Sequence, residues 1–203
     1  MKPLAFIPLS FAAASFAALA PFQAYANPPT SILFPLTVSP GAKNCLPHAQ
    51  GKVVVHTYTQ VENMEVVVWG LPPNTDFVLF NIQVPNAPFG LGWYLGDILT
   101  DATGAGVTNV VGRFNMGTFI VSPGVADVPD VFQGGPFPEA KKGVKTAPIN
   151  IYHLGVWFND HTDALTAGCP GTETPFTSNH DAGIQVLNTA TFPNEKGPLI
   201  NLQ

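Results

Sequence analysis

Nineteen glycines and 21 prolines interrupt this 203-residue chain so often that a long helix has almost nowhere to form. Proline lacks the N–H that an interior helical turn needs, and glycine loses the most backbone entropy on ordering. Beyond the N-terminal segment, no ten-residue window free of both carries a sustained apolar stripe at i, i+3 and i+4. The glycines follow no three-residue period, which excludes a collagen-like chain. A hydrophobic content of 46% is too high for a disordered one.

Strand signals fill the space that remains. Residues 52–58 (KVVVHTY), 64–69 (MEVVVW) and 77–84 (FVLFNIQV) are rich in β-branched and aromatic side chains. Residues 93–100 and 107–114 flank 101–106 (DATGAG), a hairpin loop whose glycines can take positive φ. Further strands are expected over 118–121, 149–158 (INIYHLGVWF) and 183–189 (GIQVLNT). Short strands at this spacing predict an all-β fold. The expected form is a single antiparallel β-sandwich, immunoglobulin-like or jelly-roll-like, with long Pro/Gly-rich loops. Residues 122–148 hold five prolines and read as a long crossover or edge-covering loop; 159–181 is a second long loop.

Residues 1–26 read as a secretory signal peptide. Lys2 supplies a positive charge, 4–20 is an apolar run, and Ala24-Tyr25-Ala26 fits the small-x-small cleavage rule. Residues 27–203 then form one domain beginning at Asn27. No later stretch is long enough to cross a bilayer, so no membrane span is expected after cleavage, and the protein is secreted or periplasmic. In an oxidising compartment Cys45 and Cys169 are expected to form one disulfide.

Only 10% of the residues are charged, and the formal net charge is −5. The basic residues are scattered and Arg113 is the only arginine, so no cluster exists to neutralise phosphates, and nucleic acid is excluded as a partner. Arg113 lies in a strand-like run, where Asp97 or Asp101 across the hairpin would be a structural ion-pair partner.

The segment Trp69-Gly70-Leu71-Pro72-Pro73-Asn74-Thr75-Asp76-Phe77 resembles the corner motif of fibronectin type III and related immunoglobulin-like sandwiches. The resemblance implies that Leu71 fills the core beneath a loop. Phe77 stands where that motif has a tyrosine, so its hydroxyl bond to the backbone cannot form. The longer run 70–121, continuing into 151–158, resembles an uncharacterised family of exported bacterial β proteins. That resemblance implies export and β structure and transfers no catalytic residue.

No motif fixes a chemistry. There is no G-x-S-x-G nucleophile elbow and no phosphate-cradling glycine loop, and no catalytic residue or cofactor is expected. Glu62 and Glu65 are the only glutamates near strand positions. The best polar cluster is His153, Asp160, His161, Asp163, His180 and Asp181, whose imidazoles and carboxylates suit zinc if two loops meet. The competing reading is solvated, turn-capping side chains.

Residues 85–94 (PNAPFGLGWY) read as a loop, and large apolar side chains on a loop need an explanation. Phe89, Trp93 and Tyr94 either offer flat faces to a protein or carbohydrate ligand or fold inward to plug one end of the domain. The functional expectation is an exported, non-catalytic binding or structural protein. The alternative is a secreted metal-dependent or carboxylate-based hydrolase.

Overall fold

A computed structural model describes residues 30–90, 92–114, 151–174, 177 and 181–202. The segments read as the signal peptide, the strand over 118–121 and the loop over 122–148 lie outside them. Among the described residues the strands are β1 (Thr30–Val38), β2 (Gln50–Thr57), β3 (Glu62–Trp69), β4 (Asp76–Ile82), β5 (Gly92–Leu99), β6 (Gly106–Gly112), β7 (His153–Phe158) and β8 (Gln185–Asn188). A six-residue helix α1 (His161–Thr166) and a 3-10 turn at Pro198–Asn201 complete the elements.

All eight strands belong to one antiparallel sheet in the order β5-β4-β7-β8-β1-β2-β3-β6. The all-β expectation holds. The outermost strands, β5 and β6, are consecutive and joined by a tight turn, so the sheet rolls back until its edges meet. They share one bridge, Thr100↔Gly106. A Cβ added at Gly96 would lie 3.9 Å from side-chain atoms of both Thr108 and Val110. Away from that bridge no ladder joins the two edges, and the sheet is nearly closed.

The halves of the sheet bury differently. In β3 Glu62, Met64, Val66 and Val68 are buried and the residues between them are not. That is the period of two expected where one face meets a core and the other meets water. Strands β7 and β8 are buried along their whole length, and β4 from Phe77 onward. Their inner residues, among them Phe77, Leu79, Val156 and Phe158, pack with Val53, Met64 and Val66 in the main core. Their outer residues Val78, Phe80, Ile82 and Trp157 form a second, smaller core, with Phe89 packed against it.

The end of the roll near the Thr100↔Gly106 bridge is tightly finished. Ala42, Leu46 and Ala49, from the β1–β2 connection, are buried there, and the Cys45–Cys169 disulfide ties that connection to the segment after α1. The cysteines stand 124 residues apart, so the chain-entropy model assigns the cross-link at most about 4–5 kcal/mol. Leu71 is buried, as the corner resemblance implies. Phe77 packs on Phe158 at 4.9 Å, and the Thr100 hydroxyl ties this corner to the backbone: it donates to the Pro72 carbonyl (2.6 Å) and accepts from the Thr75 N–H (2.9 Å). The 101–106 loop is an Asp turn: Asp101 Oδ1 accepts from the Thr103 and Ala105 N–H groups. Gly104 has φ +77°, and a Cβ there would strike the Leu71 carbonyl.

Candidate functional site

The 85–94 segment does not form one continuous loop. Phe89 belongs to the β4–β5 connection, whereas Trp93 and Tyr94 lie in β5. For Trp93 and Tyr94 the strand expected over 93–100 holds and the loop expected over 85–94 does not: Gly90 ends the turn, and β5 begins pairing with β4 at Gly92.

The connection is pinned from two sides. Asn188 of β8, fully buried, donates from Nδ2 to the Pro85 carbonyl at 3.0 Å. Phe89, half-buried, sets its ring edge-on to Trp157 at 5.1 Å between centroids. Its φ is +57°, a region costly for a residue with a Cβ, so the packing of its ring holds a backbone that is otherwise unfavourable. Phe89 therefore covers the outer core.

Tyr94 and Trp93 point to opposite faces of β5. Tyr94 lies opposite Phe80, its ring 5.7 Å away on the outer side, and its hydroxyl donates to Asp97 Oδ1 at 2.8 Å. Partial burial and then the Asp97 carboxylate push the phenol up to about 12. Trp93 lies opposite Asn81 in the register, and both sit on the inner side. Yet 60% of Trp93 is exposed, because β5 is an edge and nothing pairs beyond it at this level among the described residues.

Between the two edges lies a cleft of about 260 Å³, lined by Asn81, Trp93, Leu95, Val110, Arg113 and Ile151 among others. Asn81 is only 5% exposed; its Oδ1 is buried without a partner, and among the described residues its side chain makes no hydrogen bond. An amide oxygen buried in that state is costly, and a polar ligand atom beside Asn81 would offset part of that cost. Arg113 does not pair with Asp97 or Asp101. Its Nε stands 3.5 Å from Oε1 of the fully buried Glu62, and Nη1 donates to the Gln60 carbonyl at 2.9 Å. Glu62 Oε2 accepts the Phe114 N–H at 2.7 Å. The correction follows from the sheet order: β6 pairs with β3, which places Glu62 opposite Gly112.

Of the three histidines in the expected cluster, the two that are described, His153 and His161, do not come together. His153 and His161 lie toward opposite ends of β7, a strand about 16 Å long at the usual rise. His153 is fully buried; Nδ1 contacts the Thr189 hydroxyl at 2.9 Å and Nε2 contacts the Pro193 and Asn194 carbonyls, both at 3.1 Å. Two carbonyls require a proton on Nε2, so Nδ1 accepts, and the neutral ring has no nitrogen left for a metal. Burial holds its pKa below the ordinary value, against the opposing pull of the carbonyls. His161 opens α1, beside its N-cap Asp160 and 3.7 Å from Glu173. His180 lies outside the described residues. Among those described, no group of three or more His, Cys, Asp or Glu could hold a metal ion.

Asn81 is the site residue that sequence reasoning missed, as it missed the pairing of Glu62 with Arg113. Asn81 carries a faint signal, one of two amides, with Gln83, inside the otherwise apolar run FVLFNIQV. No protein-family model and no curated protein matches the chain.

Proposed function

We propose that the protein is an exported, non-catalytic binding module, secreted or periplasmic, that takes a protein or carbohydrate ligand at the β5 edge through Trp93 and Tyr94. In its finer form the rolled sheet is a flattened sandwich, immunoglobulin-like or jelly-roll-like, with β4 and β7 laid over β2 and β3. A single observation carries the binding reading: Trp93 leaves 60% of its surface in solvent beside a cleft whose buried amide has no partner. A tryptophan is among the residues a stable domain gains most by burying, and exposed aromatics are typical of recognition surfaces. The charged, apolar, small-residue order of the first 26 residues and the Cys45–Cys169 disulfide support export. No helix among the described residues is long and apolar enough to cross a membrane.

The test is binding of the disulfide-intact protein to arrays of glycans and of extended peptides, in parallel with Trp93→Ala. The reading expects at least one class of ligand retained by the parent and lost by the variant, with the melting temperature unchanged. Identical retention by both proteins would refute a Trp93 surface.

A further inference from the structure

We propose that the cleft between the β5 and β6 edges binds one neutral sugar ring, stacked on Trp93 and hydrogen-bonded through the Asn81 side-chain amide. The proposal rests on the binding reading above and names its ligand class.

Four features select that chemistry. The Asn81 side chain carries both a donor and an acceptor; its Oδ1 is sealed from solvent without a partner, so the NH2 is the end that can donate to a sugar oxygen in the cleft. Asn81 is more than nine-tenths buried, lines the cleft and has no partner among the described residues. Trp93 lies directly opposite it in the β4–β5 register and on the same face, so a flat ring resting on the indole would bring its edge toward the amide. The cleft offers no unpaired charge: Arg113 is matched by Glu62 and by the Gln60 carbonyl. A carboxylate or an ammonium group would therefore enter without a counter-charge of its own.

Size and position argue against an extended peptide. The cleft holds about 260 Å³, below the roughly 300–1,000 Å³ of ordinary ligand pockets, and suits one ring better than a length of chain. A peptide added to the β5 edge would lie in the plane of the sheet and use main-chain groups, leaving Asn81 untouched.

The experiment is a titration of the 15N-labelled, disulfide-intact protein, following the Asn81 side-chain NH2 and the Trp93 indole N–H. The probes are methyl glucoside, methyl galactoside and N-acetylglucosamine, with glucuronate and glucosamine as charged counterparts and a capped Val/Thr peptide as the strand control. At least one neutral sugar should move both signals saturably at millimolar concentration, as one ring's contact would give. The charged counterparts should move neither. Asn81→Leu, which removes an unpartnered amide at similar volume, should melt no lower than the parent and lose the Trp93 shift by about tenfold or more in affinity. Trp93→Ala should keep its fold and lose the Asn81 shift. A peptide that moves Trp93 and the β5 main-chain amides without Asn81 would overturn the sugar proposal and leave the binding reading standing. If no neutral sugar moves Asn81, the proposal fails. If in addition Trp93→Ala behaves as the parent on every array, both readings fall together.

Discussion

Phe89 and Trp93 stand four residues apart and meet opposite surroundings. The connection holding Phe89 is stitched to β8 through Asn188, and its ring closes over Trp157. The strand holding Trp93 is the edge of the sheet, and its indole is mostly in water. The difference comes from the sheet order. Strand β4 is flanked by β7 on one side and β5 on the other, so the β4–β5 connection can fold over the outer face of β4 and β7, where Val78, Phe80 and Trp157 wait to be covered. Beyond β5 only a single bridge leads to β6. Exposure of an aromatic residue in this molecule is a consequence of where the sheet stops, and the same stop creates the cleft.

The largest effect should come from removing the floor of the covered region. Trp157→Ala deletes a fully buried indole that contacts both Phe80 and Phe89, and should cost about 3–5 kcal/mol in urea denaturation. A loss below about 1 kcal/mol would mean that the outer cluster is not a core. Phe89→Ala should follow at about 1–1.5 kcal/mol, roughly half the value for full burial, since the ring is half-buried.

His153 gives the pH arm of the comparison. It lies on the same outer side of β7 as Trp157 and is covered by the 189–194 segment. Its pKa in the folded protein is depressed by burial, so the unfolded chain takes up the proton first. The neutral ring's contribution is fully present above the unfolded value near 6.5 and is lost as pH falls through it. Stability should decline below about pH 6.5, and His153→Gln should remove that slope whatever it does to stability at neutral pH. An unchanged slope in the variant would assign the acid sensitivity elsewhere.

Trp93→Ala should have the smallest effect, within about 0.5 kcal/mol, the usual range for a surface position.

The legible parts of the sequence are the runs dense in β-branched and aromatic residues. Residues 64–69 (MEVVVW) announce β3, and 77–84 (FVLFNIQV) announce β4. Strand β1 carries no such unbroken run, since Pro35 sits at its centre. That proline is tolerated because β8 pairs with β1 only at Thr37 and Val38, leaving the chain before them with β2 alone among the described residues. Helix α1 is too short for a period to register, though Asp160 two residues before Thr162 is its cap in plain sight. The cysteine pairing was legible from count and compartment. The cleft was not. It needs Asn81 beside Trp93, a matter of register, and Arg113 beside Glu62, a matter of strand order. Neither is written in local pattern.

The central claim is the division of labour between Phe89 and Trp93, and paired urea denaturation of Phe89→Ala and Trp93→Ala tests it most directly. The account predicts a loss of about 1–1.5 kcal/mol for the first and less than about 0.5 kcal/mol for the second. Large and similar losses for both would contradict it, because Trp93 would then be a structural plug and not a surface for a ligand.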